Sequence, residues 1–186
     1  MPRSHSAATH PIPRTVHGLR ELRALIVDDN RYMRQLLRTL LRGYGVREMF
    51  EASDARSGID LVGDVRPHFV LTDDDLKPVS GVAFVKMIRR LCPPPLCSVP
   101  VILITAHADM RRIQAARDAG VTEALCKPVT AKNLFNRITE IIERPRSFVR
   151  TTEFIGPDRR RRLDSSYHGP KRRSEDAGVE TAYLPD

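Results

Sequence analysis

Several short apolar runs in this chain end in groups that could do chemistry. Leu25-Ile26-Val27 meets Asp28-Asp29, and Phe69-Val70-Leu71, after one threonine, meets Asp73-Asp74-Asp75. Two more runs end in other polar groups: Val101-Ile102-Leu103-Ile104 in Thr105, and Ala124-Leu125-Cys126 in Lys127, followed by Pro128. If the runs lie side by side, carboxylates, a hydroxyl and an ammonium meet at one place. Converging carboxylates repel one another at a cost that a hard cation relieves. Mg²⁺ prefers oxygen ligands and often keeps several waters, so a few carboxylates suffice to hold it. A carboxylate oxygen can attack phosphorus to give an acyl phosphate. A metal and a lysine neutralise charge on the transferring group, and a hydroxyl can bond a phosphoryl oxygen. The chemistry these residue types suggest is phosphoryl transfer.

The elements that must position them follow from periodicity. The apolar runs read as buried strands. Met33, Leu36, Leu37, Leu40 and Leu41 carry helical spacing with one apolar face, stopped by Gly43 and Gly45. A second strand is expected over residues 46–52. A second helix carries Ala55, Ile59, Leu61 and Val62, with Asp54 as its N-cap and Pro67 closing the unit. Val82, Phe84, Val85, Ile88 and Leu91 mark a third helix, and residues 92–100 a proline-rich connector. Ile113, Ala116 and Ala119 fit a short helix ending at Gly120. Leu134, Phe135, Ile138, Ile141 and Ile142 form a last one, stopped near Pro145. Apolar strands alternating with helices imply a parallel sheet covered on both faces. Ligand sites in such sheets lie outside the carboxyl ends of the strands, where the acids, the hydroxyl and the lysine fall.

The segments LRALIVDDNRYMRQLLRTLL, RPHFVLTDDDLKPVSG, VPVILITAHAD and ALCKPVT together resemble the receiver domain of two-component response regulators, with the stand-alone chemotaxis type as the general likeness. The resemblance covers about residues 22–143. It implies a flavodoxin-like (βα)5 sandwich with a five-stranded parallel sheet in order 2-1-3-4-5. By position it makes Asp73 the phosphoacceptor, with Gly81 eight residues on as such receivers often have. It makes Asp29 the direct ligand of Mg²⁺ (or Mn²⁺) and Asp28 an acid acting largely through water. Asp73 completes the set, and Asp75 offers its backbone carbonyl to the metal. Thr105 becomes the switch hydroxyl and Lys127 the phosphoryl-contacting lysine, with a cis bond often found before the following proline. The sequence departs from the family at two places. Leu76 and Lys77 replace the common Met-Pro, and Ala124 stands where the switch aromatic is usual, so the readout is expected to take another route.

The 186 residues favour one domain with tails: a flexible leader over 1–20, the receiver over 21–144 and a basic, disordered tail over 145–186. The net charge of +8 sits mainly at the ends. Residues 1–20 hold three arginines and no acid, and residues 144–186 hold 10 Lys or Arg against 7 Asp or Glu. A nucleic-acid-binding surface on the core is not indicated. Cys92, Cys97 and Cys126 match no zinc spacing and read as reduced thiols. With no long apolar run and no secretory signal, no membrane contact and a cytoplasmic location are expected. Asp74 reads as exposed loop charge. The tail carries four arginines at 159–162 and a second cluster at 171–173, either a solubilising tail or a docking segment. Its D-x-S-x-x-G run from Asp164 to Gly169 reads as a chance likeness to a nucleotide-binding pattern.

The expected function is signal relay. A histidine kinase or phosphotransfer protein donates the phosphoryl group. A downstream protein reads the result through the face between the fourth and fifth helices or through the basic tail. Two other readings stay open: a nucleic-acid-associated regulator acting through the arginine cluster, and a metal-dependent phosphatase of similar topology.

Overall fold

The computed structural model describes residues 16–107, 109–151, 154–158 and 180–182. The five apolar runs are strands: β1 (Arg23–Val27), β2 (Glu48–Ala52), β3 (Phe69–Asp73), β4 (Val101–Thr105) and β5 (Glu123–Cys126). They pair in parallel in the order β2-β1-β3-β4-β5, as expected for a flavodoxin-like sheet. Between and after them run α1 (Arg31–Gly43), α2 (Ala55–Val65), α3 (Gly81–Leu91), α4 (Met110–Asp118) and α5 (Ala131–Glu143). Each helix opens on an oxygen-bearing side chain that accepts from a first-turn N–H: Asn30, Asp54, Ser80, Asp109 and Thr130. Such a cap stabilises a helix by about 1 kcal/mol.

The side-chain alternation of the strands divides the core in two. Ala24, Ile26, Leu71, Ile102 and Ile104 face Leu37 and Leu41 of α1 and Leu134 and Ile138 of α5. Leu25, Val27, Val70, Val101 and Leu103 face Val62 of α2, Phe84 and Ile88 of α3 and Ala116 of α4. Covered on both sides, β3 and β4 bury every residue, which is why their sequences are apolar up to the polar residues at their carboxyl ends. β2 starts at Glu48 rather than Val46. The Val46 N–H is taken by the Leu41 carbonyl at the end of α1, and its side chain joins the first core from the loop.

The ends differ from the composition-based expectation. Within the expected leader, Val16–Glu21 forms a 3-10 helix and Leu19 is buried in the first core; residues 1–15 lie outside the described part. Within the expected tail, β6 (Phe148–Arg150) and β7 (Ile155–Pro157) form an antiparallel hairpin, and β8 (Glu180–Ala182) pairs with β6. The reason is a cation at the core's edge. Arg89 of α3 is buried. Its guanidinium donates to the carbonyls of Cys97, Val99 and Gly120 and lies 4.9 Å from the Phe148 ring centroid. Burial pulls Arg89 down to about 10, with no carboxylate among the described residues to compensate, yet it stays charged at neutral pH. The hairpin seals this group from water. Gly120 (φ +87°) lets it close in, since a Cβ there would meet the Ile155 carbonyl oxygen at 2.5 Å. The arginines at 159–162, the basic cluster at 171–173 and the D-x-S-x-x-G run lie outside the described residues. All three cysteines are free thiols.

Phe148→Ala removes that ring and reopens the guanidinium to solvent. The variant is expected to lose about 3 kcal/mol of unfolding free energy, measurable as a lower urea midpoint. Wild-type stability would show that the hairpin is not part of the folded unit.

Candidate functional site

Strand register brings the polar ends together. Val27 pairs with Thr72, Asp73 with Ile104, and Thr105 with Cys126. Backbone bonds extend the ladder one residue further: Asp28 N–H to the Ala52 carbonyl, Asp74 N–H to Ile104, and Lys127 N–H to Thr105. Asp28 and Asp29, Asp73, Thr105 and Lys127 thus gather at the carboxyl edge, as their spacing suggested. The Lys127-Pro128 bond is cis.

One carboxylate oxygen from each of Asp28, Asp29 and Asp73 lies within 4.8 Å of the others. Asp28 (1% exposed) and Asp73 (5%) are buried, while Asp29 is exposed. Lys127 Nζ is 2.7 Å from Asp73 Oδ1, an ion pair and the only partner of that oxygen among the described residues. Asp28 Oδ1 accepts from the Asn30 N–H at 2.8 Å, but its buried Oδ2 has no hydrogen-bond partner among the described residues. A buried carboxylate oxygen without a donor is costly. Together with two further carboxylates this close, it is what a hard-cation site looks like before the cation is added, so the donor set fits Mg²⁺ or Mn²⁺. Asp75 is exposed; its side chain turns to Arg112.

Burial raises Asp28 to about 6, helped by the charges of Asp73 and Asp29 and opposed by the Asn30 N–H and Lys127. Lys127 behaves differently. Burial alone would lower it, but the hydrogen bond and charge of Asp73, with Asp28 and Asp75 beyond, outweigh that and hold it above its ordinary value. Asp28 is therefore more basic folded than unfolded, and its protonated form favours the native state. That contribution is complete below pH 4 and disappears as pH rises through about 6. Metal-free wild-type protein is expected to lose roughly 3 kcal/mol between pH 4 and 7 from this group. Asp28→Asn should flatten that slope in urea titrations at several pH values. An unchanged slope would remove Asp28 as its origin.

Two residues that hold the site, Arg34 and Asp74, were given no part in it by the sequence. Arg34 donates to the Asp28 carbonyl at 2.8 Å and pairs with Glu51 at 3.3 Å, tying the β1–α1 loop to the end of β2. Asp74, expected to be exposed loop charge, is buried. Its Oδ2 takes the Thr105 hydroxyl at 2.9 Å and has Arg112 Nη1 at 3.5 Å. The backbone explains this: its N–H is tied to β4, so the residue sits at the strand edge beside Thr105 rather than out in the loop. Gly81 also has a reason for its place. A Cβ there would overlap the Asp73 carbonyl oxygen and stand 2.9 Å from the Asp73 carbonyl carbon. The first residue of α3 thus rests on the backbone of β3.

Comparison with known proteins agrees with this fold. Residues 24–139 match the response regulator receiver domain. The chain is 34% identical over 125 residues to chemotaxis protein CheY-3 of Vibrio cholerae serotype O1, covering 67% of this chain and 95% of that protein. It is 32% identical over 123 residues to chemotaxis protein CheY of Pseudomonas aeruginosa, covering 66% and 98%. Among solved structures, a Chloroflexus aurantiacus J-10-fl protein assigned as a response regulator superposes with a TM-score of 0.61 at 27% identity, covering 66% of this chain and 98% of that one. The chemotaxis response regulator CheY4 of Vibrio cholerae shares the fold, with a TM-score of 0.59 at 23% identity over 64% of this chain and 98% of that one.

Proposed function

This chain belongs to the receiver-domain family of response regulators, signalling proteins of the phosphorelay, and from that premise we propose that Asp73 accepts a phosphoryl group from a histidine kinase or phosphotransfer protein. The observation that carries the reading is the Asp73 carboxylate, buried at a strand end, 2.7 Å from an ammonium and clustered with two more aspartates. One oxygen of Asp73 attacks phosphorus. The new O–P bond forms as the bond to the donor atom breaks, and the donor leaves with the electron pair. Lys127 stands beside Asp73 Oδ1 and meets the negative charge brought by the phosphoryl oxygens. Asp28 and Asp29, with Asp73 and the backbone carbonyl of Asp75, would hold Mg²⁺ or Mn²⁺. When bound, that ion supplies charge neutralisation at the phosphoryl oxygens. Thr105 supplies a hydroxyl at the adjoining strand end. The result is a covalent mark with no turnover of an external substrate beyond hydrolysis of the acyl phosphate itself.

The receiver unit is assigned to residues 21–144, acting in the cytoplasm and read by a protein partner at the α4–β5–α5 face. Among the described residues, no helix is long and apolar enough to cross a membrane. The test is incubation with acetyl phosphate and Mg²⁺, followed by intact mass. One phosphoryl group per chain, removed by hydroxylamine and lost on chelation of the metal, is the expected result. No mass gain at saturating Mg²⁺ would end this reading.

A further inference from the structure

We propose that Asp74 is a positioning residue that holds the Thr105 hydroxyl away from the acceptor at rest and, through Arg112, passes the arrival of a phosphoryl group on to α4. The inference rests on Asp73 being the acceptor. The Thr105 hydroxyl accepts from the His107 N–H at 3.1 Å and has one proton to give. Two acceptors stand in reach of that proton: Asp74 Oδ2 at 2.9 Å and the His107 carbonyl at 3.0 Å. A carboxylate is the stronger acceptor, so the proton goes to Asp74. Asp74 is 8% exposed, and Arg112 is the one cation that contacts its carboxylate among the described residues. Arg112 lies in the first turn of α4. Its N–H is capped by Asp109, and its guanidinium also reaches Asp75 and Asp109 at 3.7 Å each. One carboxylate thus ties the end of β3 to the hydroxyl of β4 and to the first turn of α4.

A phosphoryl group on the neighbouring residue adds up to two negative charges beside Asp74. Its oxygens also compete for the same hydroxyl proton. Both effects loosen Asp74 from Thr105 and leave its charge to Arg112 alone, so α4 feels the change. Ala124 of β5, paired with Leu103 two residues before Thr105, has only a methyl group and offers no ring to relay it. At rest the same carboxylate opposes phosphorylation by its charge and by occupying the hydroxyl.

The test measures acetyl phosphate labelling at saturating Mg²⁺ together with amide hydrogen exchange in α4 before and after labelling. Asp74→Asn removes the charge and is expected to label about tenfold faster, with the exchange response of α4 lost. Arg112→Gln changes a half-exposed side chain (46%) that does not touch Asp73. It is expected to label within about threefold of wild type, the scale of one surface ion pair, yet also to lose the α4 response. Thr105→Ser, which keeps the hydroxyl, should keep the α4 response. Wild-type labelling that leaves α4 exchange unchanged, or an α4 response that persists in both Asp74→Asn and Arg112→Gln, would overturn the role of Asp74 while leaving the acceptor in place. Wild-type protein that takes no label removes the acceptor reading and this one together.

Discussion

Asp73→Asn is expected to take up no phosphoryl group, whereas Asp74→Asn and Asp75→Asn each still take up one. Three consecutive aspartates offer three candidate nucleophiles, and their surroundings separate them. Asp73 closes β3 with its carboxylate against Lys127 Nζ and within the cluster formed by Asp28 and Asp29. Asp74, one residue on, is engaged by Thr105 and Arg112. Asp75 is exposed, with its carboxylate toward Arg112. Asparagine matches aspartate in shape, so the fold survives, but its amide oxygen is a poor nucleophile and brings no charge to a metal. Intact mass after incubation with acetyl phosphate gives the answer directly. The loss should exceed ~10³-fold, the scale of removing a covalent nucleophile. Labelling that survives Asp73→Asn, or that is lost only in Asp75→Asn, would move the acceptor elsewhere.

Gly81→Ala is expected to damage both stability and phosphorylation with a single methyl group. The position does not need a left-handed backbone; it needs the absence of a side chain. The Gly81 N–H donates to the Asp74 carbonyl at 2.9 Å, and the added Cβ would lie 3.0 Å from Asp74 Cα while overlapping the Asp73 carbonyl. None of these neighbours is a flexible chain end, so the backbone of β3 or the start of α3 must shift. The expected loss is about 3 kcal/mol in urea unfolding. If the acceptor carboxylate moves by about 1 Å, labelling slows by roughly 10²-fold. Wild-type behaviour in both assays would mean that the close approach is not required.

Much of the site was legible because its residues share one grammar: each follows an apolar strand, and doubly wound sheets align strand ends. Asp28, Asp29, Asp73, Thr105 and Lys127 needed no knowledge of side-chain partners to be grouped. Asp74 did. Its burial depends on Thr105 and Arg112, far along the chain, and a charged residue in an acidic run looks solvated until such partners are known. Arg89 and Phe148 escaped for the same reason. A buried arginine reads as a surface cation, and three-residue strands leave no periodicity to find. Leu19 was hidden by the proline- and arginine-rich stretch before it. Gly81 was noticed as a spacing; its cause, a backbone-to-backbone contact, is a three-dimensional fact.

The close seat of Gly81 on β3 gives the domain a directional compliance. On that side main chain meets main chain, and nothing between them can rotate. On the other side, beyond the backbone ladder to β4, the end of β3 reaches Thr105 and α4 through a hydroxyl, a carboxylate and a guanidinium, each swinging on single bonds. A distortion at Asp73 is therefore expected to relax toward α4, with the start of α3 as the fixed side. On the proposed function, a partner that senses phosphorylation would gain by gripping the yielding flank, and one that held the rigid flank would bind both forms alike.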